Sequence, residues 1–171
     1  MRNLSDDGKI KYKFLDIEDE LIDNLIEQIQ KIGDQEYSQS IIKGAATGYD
    51  THYGNFKTLK KVIKRNVPFK IKHFANIWAH MLTDNNYVTP HNHLEHPVDK
   101  IDWSIRKCFV LYLQAPEGCG KIYFNDYDLE ITPLKKLFLY FEPDVFHEVL
   151  PNDAQNITRI ACAGNLILAK I

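Results

Sequence analysis

Residues 107–141 read KCFVLYLQAPEGCGKIYFNDYDLEITPLKKLFLYF. Four β-prone runs stand in this stretch, KCFVLYLQA, GKIYFND, LEITP and KLFLYF, each rich in aromatic or β-branched residues and bounded by Pro, Gly, Asn or Asp. Only a few residues separate one run from the next. A parallel neighbour needs a crossover of a dozen or more residues, so these strands are expected to be antiparallel. The same texture continues outward, through KHFANIWAHML (72–82) on one side and HEVLP (147–151) and NITRIACAGNLILAKI (156–171) on the other. The expected class is mainly β, a sandwich or jelly roll preceded by packing helices.

Those helices are legible upstream. From Asp16 to Gly33 the stretch DIEDELIDNLIEQIQKIG puts Ile17, Leu21, Leu25, Ile29 and Ile32 on one stripe, with Ile22 and Ile26 beside it. Asp16 can cap its start and Gly33 its end. A second helix is expected over residues 55–65, where Phe56, Leu59, Val62 and Ile63 share a face before Pro68 forbids continuation. Between them DQEYSQSIIKGAATGYDTHYGN (34–55) reads as a long loop of the kind that closes over a substrate or stays mobile. The chain of 171 residues is read as a single domain, with 1–68 as helical N-terminal support and loop and 69–171 as the jelly-roll core.

Composition narrows the function classes. Apolar residues make up 44% and charged residues 26%, as in an ordinary folded protein rather than a disordered one. No apolar run approaches a membrane span, and MRNLSDDGKIKYKF has no apolar core for a signal peptide, so a cytoplasmic protein with no membrane partner is expected. Three cysteines, Cys108, Cys119 and Cys162, show no CxxC spacing and read as reduced thiols, which also makes NIT at Asn156 an unused glycosylation signal. The net charge of −2 provides no global basic field. The run KTLKKVIKR (57–65) is read as a solvated helix face, and nucleic acid is not an expected partner.

One polar stretch does not fit a plain β scaffold. NYVTPHNHLEHP (86–97) holds three histidines and a glutamate within six residues. On an extended segment alternate side chains share a face, so His91 and His93 point the same way, and Pro90 favours extended backbone at Thr89 before them. Two metal ligands can thus come from one strand end. A third can come from His147, in an apolar run between two prolines in EPDVFHEVLPN. Three imidazole or carboxylate groups suit a catalytic Fe(II) that keeps positions open. Twelve residues after His147, strand alternation places Arg159, Ala161, Ala163 and Asn165 on one face and Ile160, Cys162 and Leu166 on the other. A guanidinium facing inward beside small side chains describes a pocket floor with an anchor for a carboxylate. Asn76, Trp78 and His80 also share a face, which either lines the pocket or, the preferred reading, is a core Trp beside a satisfied His, while His52 and His96 are read as exposed.

The order of these pieces, with PHNH followed by a strand after WS, then GKIYF, a proline turn, LFLYF, HEVLP, and finally Arg and Asn, resembles the 2-oxoglutarate- and Fe(II)-dependent oxygenases. It is most similar to a phage and marine bacterial branch with a PHxH…H…R pattern, over about residues 74 to 167. The resemblance implies a double-stranded β-helix, cupin-like core and a dioxygenase of hydroxylase type. It also implies Fe(II), 2-oxoglutarate as cosubstrate, and succinate and CO2 as coproducts. His91 and His147 match metal ligands, Arg159 matches the residue that pairs with the far carboxylate of 2-oxoglutarate, Tyr112 in VLYL matches a tyrosine that hydrogen-bonds the cosubstrate, and Asn165 is a further pocket contact.

The sequence departs from the family at His93, which stands where a carboxylate is usual. Two ligand sets remain. One is His91, His93 and His147, which agrees with the leading YVTP and with HxH in this branch; the other shifts to His93, Glu95 and His147. Lys136 also replaces a glycine usual in the turn before LFLYF. A metal-dependent cupin has a similar HxH and later histidine, but adds a glutamate where Pro97 and Val98 stand here, and has no use for 2-oxoglutarate. A non-catalytic jelly-roll binding module with a histidine-rich rim is the third reading. For an enzyme the substrate would be a small molecule or a peptide, and a homo-oligomer is compatible with the sequence.

Overall fold

The computed structural model describes residues 1–32, 42–46, 54–94 and 105–169. Two helices, α1 (Asp19–Ile32) and α2 (Gly54–Asn66), accompany twelve strands among the described residues. In chain order the strands are β1 (Arg2–Asn3), β2 (Ile10–Phe14), β3 (Ile42–Lys43), β4 (Ala45–Ala46), β5 (Ile71–Thr83), β6 (Tyr87–His91), β7 (Arg106–Gln114), β8 (Ile122–Phe124), β9 (Leu129–Ile131), β10 (Leu137–Phe141), β11 (His147–Val149) and β12 (Thr158–Leu168). They form a seven-stranded sheet in the order β1-β2-β10-β7-β12-β5-β4 and a five-stranded sheet in the order β3-β6-β11-β8-β9. Every pairing is antiparallel, as the short connections demand.

The large sheet is buried on both faces, and the period of two along β12 explains how. Ile160, Cys162 and Leu166 join Ile22, Leu25 and Ile29 of α1 and Phe56, Leu59 and Ile63 of α2 in one core. Ala161 and Ala163 turn the other way, into a second core with Trp78, Val110, Tyr112 and, from the small sheet, Ile122 and Phe124. The arrangement is therefore three layers, helices, large sheet and small sheet. Small residues on β12 let the layers approach. At Gly164 an added Cβ would lie 2.5 Å from the Asn76 carbonyl oxygen and 2.7 Å from the Phe109 ring. Gly164→Ala is expected to cost about 1–3 kcal/mol by overpacking, read as a lower urea midpoint.

The N-terminal third departs from the expectation of helices and loop. Helix α1 begins three residues after Asp16, whose backbone instead exchanges hydrogen bonds with the Asn66 side chain at 2.9 and 3.1 Å. Ile17 still packs in the core, but from outside the helix. Strand β2 adds to the large sheet beside β10, and the described part of the expected loop supplies one short strand to each sheet, β3 against β6 and β4 against β5. Helix α2 exposes Lys57, Lys61, Lys64 and Arg65, the solvated face read from the sequence. Lys136 adopts φ 71°, the left-handed geometry a glycine favours, in the turn before β10. No described helix is long and apolar enough to cross a membrane.

Candidate metal centre

Strands β6 and β11 bring the histidines together across the small sheet. His91, the last residue of β6, lies opposite His147, the first of β11. Val88 stays opposite Val149, so β6 carries one extra residue between these pairs. That bulge falls on Thr89 and Pro90, where a residue with no N–H to give the ladder is best tolerated. His93 lies two residues past the strand end, held by its backbone N–H donating to the Pro143 carbonyl at 2.9 Å. The turn carrying Pro143 is itself pinned, by Glu142 N–H to the Lys9 carbonyl at 3.1 Å and by the Lys9–Asp144 ion pair at 2.6 Å.

One ligand atom from each of His91, His93 and His147 can be chosen so that all lie within 4.8 Å of one another. The rings of His91 and His147 are 4.3 Å apart at their centroids, and each is 5.3 Å from that of His93. His91 Nδ1 lies 2.9 Å from the Thr89 carbonyl and His147 Nδ1 lies 3.1 Å from the Val145 carbonyl. A carbonyl only accepts, so both Nδ1 atoms carry the proton and both Nε2 lone pairs are left for a metal. Burial lowers the acidity range of both rings, that of His147 to about 3, although the carbonyl bonds oppose the shift. Neutral imidazole is the ligating form.

The cluster forms one end of a cavity between the sheets, lined also by Trp78, His80, Val88, Ile122, Phe141 and Arg159. The cavity encloses ≈30 Å³, about the space of one water, so any larger ligand must displace lining side chains. Two larger surface clefts, ≈570 Å³ between α1 and α2 and ≈460 Å³ beside Leu94, hold no such convergence of buried donors.

Arg159 is the decisive feature of the cavity. It is 0% exposed, and none of its three guanidinium nitrogens has a hydrogen-bond partner among the described residues. Its Cζ lies 4.9 Å from the centroid of the Tyr112 ring, and the Tyr112 hydroxyl is likewise buried, close to the guanidinium but with no well-aligned hydrogen bond among the described residues. Burial raises the Tyr112 phenol above its ordinary range, with the Arg159 charge opposing. A buried cation facing no anion is expensive, and a satisfied fold would not retain it without a partner to receive. The donor set fits an anion with several acceptor oxygens, and the three imidazoles fit a divalent metal.

Asn165 stands apart from this group. It is not among the residues lining the cavity, and its amide is consumed within the core. Nδ2 donates to Asn76 Oδ1 at 2.7 Å, while Oδ1 accepts from Cys108 Sγ at 3.2 Å and Arg106 Nε at 3.4 Å. Six residues along an extended strand place it roughly 20 Å from Arg159, beyond the reach of one small ligand. Glu95, the alternative metal ligand, and His52 and His96 lie outside the described residues.

Trp78 and His80 both line the cavity, the less favoured of the two sequence readings, and Trp78 packs in the second core as well. Alternation along β5 put both on one face, but a period of two does not say that this face meets a cavity. Burial lowers His80 from 6.5 to about 3, with the Arg159 and His91 charges pushing the same way. The unfolded chain takes up this proton near pH 6.5 and the folded chain does not until about pH 3, so stability falls as pH falls through that window. For this group the slope is about 1.4 kcal/mol per pH unit. Urea denaturation of metal-free protein should therefore show His80→Leu gaining roughly 2 kcal/mol relative to wild type between pH 6.5 and 4.5.

No family model matches the sequence, and no curated protein sequence matches it. Solved structures do. A prolyl-4-hydroxylase from Pseudomonas putida matches with a TM-score of 0.67 at 14% identity, over 95% of this chain and 94% of that one. The viral collagen prolyl hydroxylase of Paramecium Bursaria Chlorella virus-1, in its 2-oxoglutarate complex, matches with a TM-score of 0.65 at 17% identity, over 98% and 100%. HygX from Streptomyces hygroscopicus, with nickel and 2-oxoglutarate bound, matches with a TM-score of 0.67 at 9% identity, over 94% and 83%. The chain shares the fold of these three proteins along nearly its whole length.

Proposed function

We propose that this protein is an Fe(II)- and 2-oxoglutarate-dependent dioxygenase of hydroxylase type with a jelly-roll, double-stranded β-helix core. It would act in the cytoplasm on a small molecule or a peptide. The observation that carries the reading is the orphaned, fully buried Arg159 guanidinium in the same cavity as three imidazoles whose ligand atoms lie within 4.8 Å of one another.

His91, His93 and His147 would hold the metal, with the Thr89 and Val145 carbonyls fixing two of the rings in the ligating tautomer. Arg159 would pair with the far carboxylate of 2-oxoglutarate through its planar fork, and Tyr112 would donate its hydroxyl to the same ligand. When bound, the metal and cosubstrate supply oxygen activation coupled to decarboxylation, yielding succinate, CO2 and a hydroxylated substrate. Val88, Ile122 and Phe141 make the walls apolar and keep water from the reacting atoms. Three neutral ligands leave the metal's charge uncompensated by the protein, which favours a doubly anionic cosubstrate beside a second cation at Arg159.

Purified protein titrated with Fe(II) and 2-oxoglutarate without oxygen should develop a weak visible charge-transfer band, and admitting oxygen should release succinate. Absence of both would refute the assignment. Turnover that persists without 2-oxoglutarate would point instead to cupin-type chemistry.

A further inference from the structure

We propose that His80 is a third hydrogen-bond donor to the 2-oxoglutarate held between the imidazole cluster and Arg159, a binding role that rests on the function proposed above. The register of the large sheet carries the argument. His80 on β5 and Tyr112 on β7 both lie opposite Ala161 of β12, the strand between them. They flank a side chain of one methyl, and their backbones are roughly 10 Å apart at ordinary strand spacing. Arg159 lies two residues, roughly 7 Å, along the same face of β12. The pairing of β12 with β7 also slips by one residue between Ile160 and Ala161, a bulge of the kind that re-aims side chains at a site. Three large polar groups thus stand beside the small Ala161 side chain, and two of them, His80 and Arg159, line the cavity.

All three groups are unsatisfied together. His80 is 5% exposed, and among the described residues neither of its ring nitrogens has a hydrogen-bond partner, nor do the Tyr112 hydroxyl and the Arg159 nitrogens make a well-aligned hydrogen bond. The same two strands show that the fold can satisfy a buried polar side chain when it only needs to pack. Asn76, four residues before His80, accepts from both the backbone and the side chain of Asn165, at 3.1 and 2.7 Å. An imidazole left without a partner weakens the fold, and leucine would fill the space better. His80 is outside the group of three histidines that can share a metal. In either protonation state it keeps at least one N–H, so it is suited to an acceptor oxygen, which a dicarboxylate between the metal and Arg159 supplies.

The test uses His80→Leu, which removes both nitrogens, and His80→Asn, which retains a donor. Mn(II)-loaded, oxygen-free protein is titrated calorimetrically with 2-oxoglutarate, Mn(II) affinity is measured separately, and the urea midpoint is measured without metal. His80→Leu should bind 2-oxoglutarate about tenfold more weakly, hold Mn(II) as wild type does, and have a higher urea midpoint, while His80→Asn should recover most of the affinity. Wild-type binding by His80→Leu overturns the His80 role and leaves the proposed function standing. A lower urea midpoint marks His80 as structural, lost Mn(II) affinity marks it as a ligand, and either overturns the inference. Failure of the wild type itself to bind 2-oxoglutarate overturns both.

Discussion

Arg159→Met is expected to abolish useful binding of 2-oxoglutarate while making the metal-free protein more stable. The two effects have one cause. The guanidinium is fully buried with no hydrogen-bond partner among the described residues on any of its three nitrogens, so its desolvation is uncompensated there. Methionine has similar length, needs no partner, and adapts to irregular space. Replacing buried charge by apolar side chains is often neutral or stabilising by about 1–4 kcal/mol, and the lost contact with the Tyr112 ring trims the gain. Binding goes the other way. Two charge-assisted hydrogen bonds at about 1.5–3 kcal/mol each correspond to roughly 10²- to 10⁴-fold in affinity. Calorimetric titration of 2-oxoglutarate into the Mn(II)-loaded variant, together with urea denaturation of the metal-free form, checks both. A destabilised variant with unchanged affinity would show that Arg159 is a structural residue.

His91→Ala should lower metal affinity by about 100-fold or more, whereas Glu95→Ala should leave it within about threefold. Four-ligand zinc sites gain about 10–16 kcal/mol in total, so one ligand is worth roughly 3 kcal/mol, which is more than 100-fold. His91 lies directly opposite His147, its ring 4.3 Å away, and its Nδ1 is already committed to the Thr89 carbonyl. A ring so oriented has one use for its free nitrogen. The competing set of His93, Glu95 and His147 predicts the reverse result, with Glu95→Ala damaging and His91→Ala mild. Competition against a calibrated chelator with Co(II) or Ni(II) reads the two variants on one scale, and a large loss in Glu95→Ala would displace His91 from the site.

Much of this architecture was legible because alternation is a local property. Antiparallel strands followed from connections too short for crossovers, and the two faces of β12 from its period of two. His91, His93, His147 and Arg159 were singled out by strand alternation, and the structure places all four around one cavity. Strand β2 was missed because IKYKF in a lysine-rich leader has no core of its own; it is stabilised by pairing with β10, more than a hundred residues later. Strands β3 and β4 are two residues each and exist only through their partners.

The sequence by itself determined which side chains share a face, because backbone geometry imposes that on any extended segment. Only the tertiary structure decided which faces meet. A bulge at Thr89 and Pro90 sets His91 against His147, and sheet stacking opposes the imidazoles to Arg159 across a cavity that His80 also lines, with Tyr112 beside Arg159. It removed Asn165 from that cavity by giving its amide to Asn76. Such choices depend on long-range register and on which buried polar groups find partners, and both quantities belong to the assembled fold rather than to any local stretch of chain.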